Sequence, residues 1–266
     1  MIKFVVKKDK TIEPYSEEKI IKSLERIGAS KDEIKEVLSE LHKLPEKITT
    51  KELFRFIYQK LKLPLKTKYN LKKAITLLGP SGYPFEHFIA HLLGRLGYQT
   101  ETNIIVKGKC VNHELDVIAQ KGEDKFFIES KFHLRESKKN DVKIILYFYG
   151  RIIDLYENNY QFKPWLWTNT KFTQDAIDFA LCRKIKLTAS NYPSDENLFR
   201  LIDKTKAYPV TILTCLKFNS CYNLIKSDII LVEDLLSKPK EEISKIIKGD
   251  EKLVDNLFHE ARFLMQ

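Results

Sequence analysis

The chain has 266 residues, 43% of them hydrophobic, and only nine glycines and nine prolines. That apolar content supports one large domain or two to three small ones, and it excludes wholesale disorder and long Gly/Ser linkers. Lys and Arg outnumber Asp and Glu by 46 to 36, a net charge of +10 that points to a polyanionic partner: nucleic acid, nucleotide or anionic membrane.

The excess is uneven. Residues 1–80 hold 19 basic and 11 acidic side chains, residues 81–205 hold 18 and 16, and residues 206–266 hold 9 of each. Most of the surplus therefore sits on the first segment, which argues for separate domains with separate ligands. Cys110, Cys182, Cys215 and Cys221 are scattered with no metal-ligand spacing and read as free thiols. The N-terminal "MIKFVVKKDK" is too short and too charged for a signal peptide, and no run of about 18 apolar residues occurs. A soluble cytoplasmic protein with no membrane partner is expected.

In chain order, residues 2–6 read as a short strand and "KKDK" as a turn. Ser16, Ser30 and Thr49 or Thr50 then stand as N-caps of three successive helices, with Ile20, Ile21, Leu24 and Ile27 on one face of the first. "KYNLKKAITLL" reads as a fourth helix, and "GPSGYP" (79–84) breaks the pattern. "FEHFIAHLLGRLG" is a helix with an apolar stripe of Phe85, Phe88, Ile89, Leu92 and Leu96, ended by Gly97. Three strand-like segments follow, "TETNIIVKG", "HELDVIAQ" and "KFFIESKF". The last two are joined by the polar turn "KGED", which favours an antiparallel hairpin. A long helix over 141–157, the strand "PWLWTNT", the helix "TQDAIDFALCRK" and the strand "IKLTAS" complete an alternation that predicts an α/β sandwich around a mixed sheet. The tail from 206 reads as helical, with "IILVEDLLSKPKEEISKII" and "EKLVDNLFHEARFLM" as its clearest helices.

Chemistry concentrates near Lys125–His133. Glu129 and Lys131 are two apart on a strand and share a face, as do Glu114 and Asp116 on the preceding strand. A tight hairpin brings Asp116 beside Glu129, and such carboxylates suit a hydrated divalent cation with room left for a phosphate. A lysine nearby orients a water or neutralises developing charge. The bland alternative is a salt-bridged edge strand, but the apolar run Phe126–Ile128 marks a central strand, where unpaired charge is costly. Glu86 lies just off the apolar stripe of the helix before. His87 and His91, one turn apart, lack further ligands and read as surface histidines.

The stretch "GYPFEHFIAHLLGRLGYQT…HELDVIAQ…FFIESKFH" resembles the Mrr-type branch of the restriction-endonuclease-like, PD-(D/E)xK, nucleases, and "TNTKFTQDAIDFA" resembles that family's downstream strand and helix. The resemblance spans about residues 82–190. It implies a restriction-endonuclease-like mixed-sheet core with Glu86, Asp116, Glu129 and Lys131 as catalytic residues. The three carboxylates would hold Mg²⁺ or Mn²⁺, and DNA would be the substrate. His113 and Glu114 replace the glycines common near the aspartate, and with His133 they are accessory candidates.

"VVKKDKTIEPYSEEKI" resembles the opening of the ATP-cone, a nucleotide-binding regulatory module. By motif position Lys7, Lys8, Glu13, Lys19 and Thr50 would face ATP or dATP. Lys10 stands where that family carries a turn glycine. Lysines beside a turn and a helix N-terminus are suited to a triphosphate, although the same charge would serve a small DNA-binding domain. The tail's rhythm resembles a helix-hairpin-helix module without its glycines; helices that close the core or form a dimer interface are the plainer reading. The organisation expected is an ATP-cone-like domain over 1–80, a catalytic domain over 82–205 and a helical region over 206–266. The function expected is a metal-dependent DNA endonuclease, homo-oligomeric because two sites are needed to cut both strands. The alternative is a non-catalytic, nucleotide-responsive DNA-binding regulator.

Overall fold

The computed structural model describes residues 2–7 and 9–266. Two compact units emerge: the first runs to Asn70 and includes Arg262–Gln266, and the second comprises Leu71–Ala261.

The first unit holds a three-stranded sheet in the order β2-β1-β3. β1 (Phe4–Val6) is antiparallel to β2 (Ile12–Pro14) and parallel to β3 (Lys47–Thr49). Helices α1 (Glu17–Arg26), α2 (Lys31–Leu41), α3 (Thr50–Lys60) and α4 (Leu65–Tyr69) cover it. Ser16, Ser30 and Thr49 cap the first three, as their sequence positions suggest, and Ser30 with Glu33 and Thr49 with Glu52 form reciprocal capping boxes. Val5, Leu24, Ile34, Val37, Leu41, Ile48 and Ile57 meet in one core. Lys10 has φ of 69°, the left-handed region that glycine enters at least cost. The strand β2 and the strand β3 were not evident in the sequence, because three-residue strands carry too little alternation to register.

The second unit begins with α5 (Leu71–Thr76) and α6 (Tyr83–Arg95). The expected fourth helix is thus two short ones parted at Asn70. A five-stranded mixed sheet follows in the order β10-β8-β6-β5-β4. β4 (Gln99–Lys107), β5 (Asn112–Lys121) and β6 (Asp124–Lys131) form an antiparallel meander, with Gly122 at φ of 61° in the β5–β6 turn. β8 (Lys163–Thr168) and β10 (Lys186–Thr188) run parallel to β6, reached through crossover helices α7 (Val142–Tyr156) and α8 (Gln174–Cys182). A small ribbon of β7 (Lys139–Asn140) and β9 (Lys171–Phe172) lies outside the main sheet.

The sheet is central because its strands are apolar on both sides. Phe127, Leu166 and Leu187 meet Ile145, Phe148, Ile152 and Leu155 of α7 and Ala176 and Ala180 of α8. Phe126 and the buried Trp165 and Trp167 belong to the other side, where Tyr98 also packs; α6 packs on β4 and β5. After α9 (Leu198–Thr205) and a 3-10 turn at Val210–Ile212 come α10 (Phe218–Lys226), α11 (Val232–Leu236), α12 (Lys240–Ile247) and α13 (Glu251–Met265). The long helix expected over Ile229–Ile247 is two helices, since Pro239 cannot continue the hydrogen-bond ladder and instead caps α12.

Thr49→Ala removes the acceptor for the Glu52 amide and one half of a capping box. It is expected to lower the unfolding free energy of the first unit by about 1 kcal/mol in equilibrium denaturation.

Candidate active site

The site is built where β6 and β8 end, beside the middle of β5. Glu129 and Lys131 project from the last turns of β6 on the side covered by α7, and the Lys131 ammonium contacts Glu129 Oε1. On β5, Val117 pairs with Ile128, so Asp116 stands across from Glu129 in the antiparallel register. Asp116 Oδ2 accepts a 2.7 Å hydrogen bond from the backbone N–H of Ser130, which fastens the carboxylate to the neighbouring strand.

The ladder between β4 and β5 is interrupted here. Thr102–Val117 and Ile104–Leu115 pair, while Asn103 and Asp116 between them do not, and Asn103 adopts φ of 55°. Leu115 and Ile118 both enter the core under α7 although they are three residues apart, so the strand's strict alternation breaks at this point. The irregularity turns the Asn103 side chain toward α6, where its Nδ2 donates to Glu86 Oε2 at 3.1 Å. Four sequence-derived residues, Glu86, Asp116, Glu129 and Lys131, therefore lie within one electrostatic neighbourhood.

That neighbourhood is short of water. Glu129 is 2% exposed. Burial, and after it the charge of Glu129, pushes the Asp116 carboxyl up to about 7; Glu86 adds to the effect, while the Ser130 N–H and Lys131 oppose it. Glu86 is raised in the same way, chiefly by burial, with the Asn103 bond opposing and the charges of Glu114 and Glu129 reinforcing. Like charges sharing a poorly solvated pocket are held there at a cost, and a cation relieves it.

One residue of the site was not read from the sequence. Arg151, on α7, donates from Nη1 to Glu129 Oε2 and from Nη2 to the backbone oxygen of Glu114. Its guanidinium lies 5.1 Å from the Phe127 ring centroid and 6.0 Å from that of Tyr147. The signal was present: Arg151 sits three residues after Phe148, at the margin of the stripe that α7 buries, where a charge needs a partner.

The accessory candidates go elsewhere. His113 Nε2 is 2.7 Å from Asp154 Oδ2, and Asp154 also accepts from the amides of Cys110 and Val111. Burial alone would raise Asp154, but the bonds from His113, Cys110 and Val111 hold it at about 2. This pair ties the β4–β5 turn to α7 and does not join the carboxylates. Glu114 is exposed and contributes its backbone oxygen. The His133 ring is 2.8 Å from Oδ1 of the fully buried Asn140, and Asn169 bonds both the N–H and the C=O of His133. Asn140 Nδ2 donates to Thr168 Oγ1, and Thr168 Oγ1 donates to the Lys131 carbonyl at 2.7 Å. His133 is thus part of a polar clamp that fixes the chain end carrying Lys131. His87 and His91, expected at the surface, are half-buried and line a cavity of about 410 Å³ with Arg95, Thr100 and Thr102.

In the first unit, Lys7 and Lys19 both reach Glu13 Oε2, at 3.0 and 3.4 Å, and the Thr50 hydroxyl donates to the Val6 carbonyl beside them. Lys8 lies outside the described residues.

The side-chain donors here are carboxylate oxygens, as Mg²⁺ or Mn²⁺ prefers. Among the described residues no group of three or more His, Cys, Asp or Glu side chains is arranged to hold a metal ion. Mg²⁺ is commonly held by one or two carboxylates with its remaining positions filled by water and phosphate.

Comparison with known proteins places these features. A restriction endonuclease model, the Mrr catalytic domain, matches residues 78–191, an ATP cone domain model matches 3–76, and a model described as AF1548-like, C-terminal matches 208–265. An uncharacterized protein of Archaeoglobus fulgidus is 35% identical over 158 residues, which is 59% of this chain and 89% of that protein. The crystal structure of AF1548, a protein of unknown function, is similar with a TM-score of 0.58 at 32% identity, covering 68% of this chain and 97% of its own. The chain belongs to this family of Mrr-type restriction-endonuclease-like proteins. Within it, an ATP cone precedes the nuclease-like domain and an AF1548-like region follows. Among the described residues no helix is long and apolar enough to cross a membrane.

Asp116→Asn tests the electrostatics. A carboxyl whose folded value is raised gives stability that is complete below its unfolded value near 3.8 and is lost as pH rises through about 7. The asparagine variant is therefore expected to melt above the wild type at pH 8 and close to it at pH 4.5, by calorimetry without added metal. Equal melting at pH 8 would contradict the assignment.

Proposed function

We propose that this protein is a metal-dependent DNA endonuclease that hydrolyses phosphodiester bonds and is regulated by ATP or dATP at its N-terminal unit. The observation that carries the reading is the proximity of Asp116, midway along β5, to Glu129 and Lys131 at the end of β6, with Asp116 bonded to the Ser130 N–H between them. Asp116 and Glu129, supported by Glu86, would hold Mg²⁺ or Mn²⁺. Bound there, such an ion lowers the pKa of a coordinated water and stabilises charge on the phosphoryl oxygens.

The chain's own residues have distinct tasks. The Ser130 amide fixes which Asp116 oxygen stays free, since Oδ2 is already engaged. Lys131, partly exposed and anchored on Glu129, has an ammonium that can donate to a scissile-phosphate oxygen or to the attacking water. The Asn140–Thr168 clamp holds the Lys131 backbone, so the ammonium swings from a fixed base. The surrounding apolar strands exclude bulk water and strengthen each of these interactions.

Supercoiled plasmid with Mg²⁺ or Mn²⁺ tests the reading. The wild type is expected to nick it, while Asp116→Ala and Lys131→Ala lose at least about a hundredfold in rate with DNA affinity little changed. Equal nicking by all three would contradict it, and no nicking by the wild type with or without ATP would favour a non-catalytic DNA-binding regulator.

The regulatory part rests on the ATP cone match and on the Lys7–Glu13–Lys19 arrangement, in which one carboxylate aligns two ammonium groups. Lys7→Ala and Lys19→Ala in the full chain are each expected to weaken labelled ATP or dATP binding by about tenfold in equilibrium dialysis, the loss of one charged hydrogen bond. Unchanged nucleotide retention in both would count against it, and salt-sensitive DNA binding lost in both would assign the surface to DNA.

A further inference from the structure

Glu129 is nearly inaccessible and already has a cation on each oxygen: the Lys131 ammonium on Oε1 and the Arg151 guanidinium on Oε2. The two cations are placed differently. Lys131 is about a third exposed and extends from the same strand. Arg151 is 11% exposed and is held by four elements of its surroundings: Glu129 on β6, the Glu114 carbonyl on β5, and the Phe127 and Tyr147 rings. A buried carboxylate without a partner is strongly destabilising, so Glu129 needs a positive charge whether or not an ion is present.

We propose that Arg151 is a positioning residue that takes the place of the divalent cation: its guanidinium holds Glu129 Oε2 in the ion-free protein, and an ion binds only by winning that oxygen from it. The inference rests on the metal-dependent reading of this site. It explains why three carboxylates, Glu86, Asp116 and Glu129, can coexist here in a folded chain, and it sets an order of events. A lone divalent ion competes with a fixed charge a few ångströms away. Substrate DNA brings a phosphate that gives the displaced guanidinium a new bidentate partner. Tyr147, 64% exposed, offers an aromatic shelf on the solvent side for that movement. The protein would then bind its ion weakly alone and firmly with DNA, which restrains metal-dependent chemistry until substrate is in place.

The test is Mn²⁺ binding by the full chain without DNA, by titration calorimetry and by the paramagnetic resonance of free Mn²⁺. Arg151→Gln is expected to bind Mn²⁺ about fivefold or more tightly than the wild type, because one competing charge has gone. In chelator it melts lower than the wild type, and saturating Mn²⁺ raises its melting temperature more than it raises that of the wild type. Arg151→Lys keeps the charge that Glu129 needs but gives up the tie to the Glu114 carbonyl, so it folds and binds Mn²⁺ with intermediate affinity; it decides the matter if the glutamine variant does not fold. Either variant, folded, binding Mn²⁺ no more tightly than the wild type overturns the proposal. If the wild type still nicks plasmid in that case, only the role of Arg151 falls. If no form binds Mn²⁺ and the wild type does not nick, the metal-dependent reading falls with it.

Discussion

The structure of the second unit is organised around one electrostatic constraint: acidic side chains held on buried strands. Charged groups leave water only where something compensates them. Around Glu129 the compensation is ionic, from Lys131 and Arg151. Around Asp116 it is weaker, a single backbone N–H, and the carboxyl responds by rising to about 7. Two neighbouring acids on adjacent strands are thus treated differently, Glu129 clamped between two cations and Asp116 raised to about 7. Such perturbed carboxyls cluster where a site is prepared for chemistry.

The rest of the domain reads as support for this arrangement. α7 supplies the apolar face that covers the sheet through Ile145, Phe148, Ile152 and Leu155. The same helix supplies Arg151 to Glu129 and Asp154 to the β4–β5 turn, so one element fixes the floor of the site and its flanking hairpin. The break in alternation at Asn103 and Asp116 brings α6 into play through Glu86. Beyond Lys131, Asn140 and Asn169 tie the outgoing chain to the end of β8. Such networks hold catalytic groups to small tolerances because each member is locked by the next.

Much of this was legible in the sequence. Acid–acid–lysine spacing on alternating strands placed Asp116, Glu129 and Lys131 together because the two-residue period of a strand is rigid and the Gly122 turn leaves little freedom of register. The caps at Ser16, Ser30 and Thr49 were legible because a hydroxyl before an apolar helix has few other uses. The clamp and Arg151 were not, since they depend on which helix returns to which strand, a long-range fact with no local periodicity. His113 and His133 were drawn toward the site by proximity in sequence, but His133 lies past the end of β6, and their partners, Asp154 on α7 and Asn140 on β7, are set by how later elements return to the sheet. The division of the tail at Pro239 was visible as a proline and was overridden in the reading by the apolar rhythm on either side.

The proposed site requires Asp116 and Glu129 to share one cation position. Anomalous X-ray scattering from crystals of the full chain soaked in Mn²⁺ reads that position out. One peak per chain is expected within coordination distance of carboxylate oxygens from both Asp116 and Glu129, on the side of the sheet facing α7. A peak ligated by other residues, or none at Mn²⁺ concentrations that saturate the DNA-free chain in titration calorimetry, would contradict it.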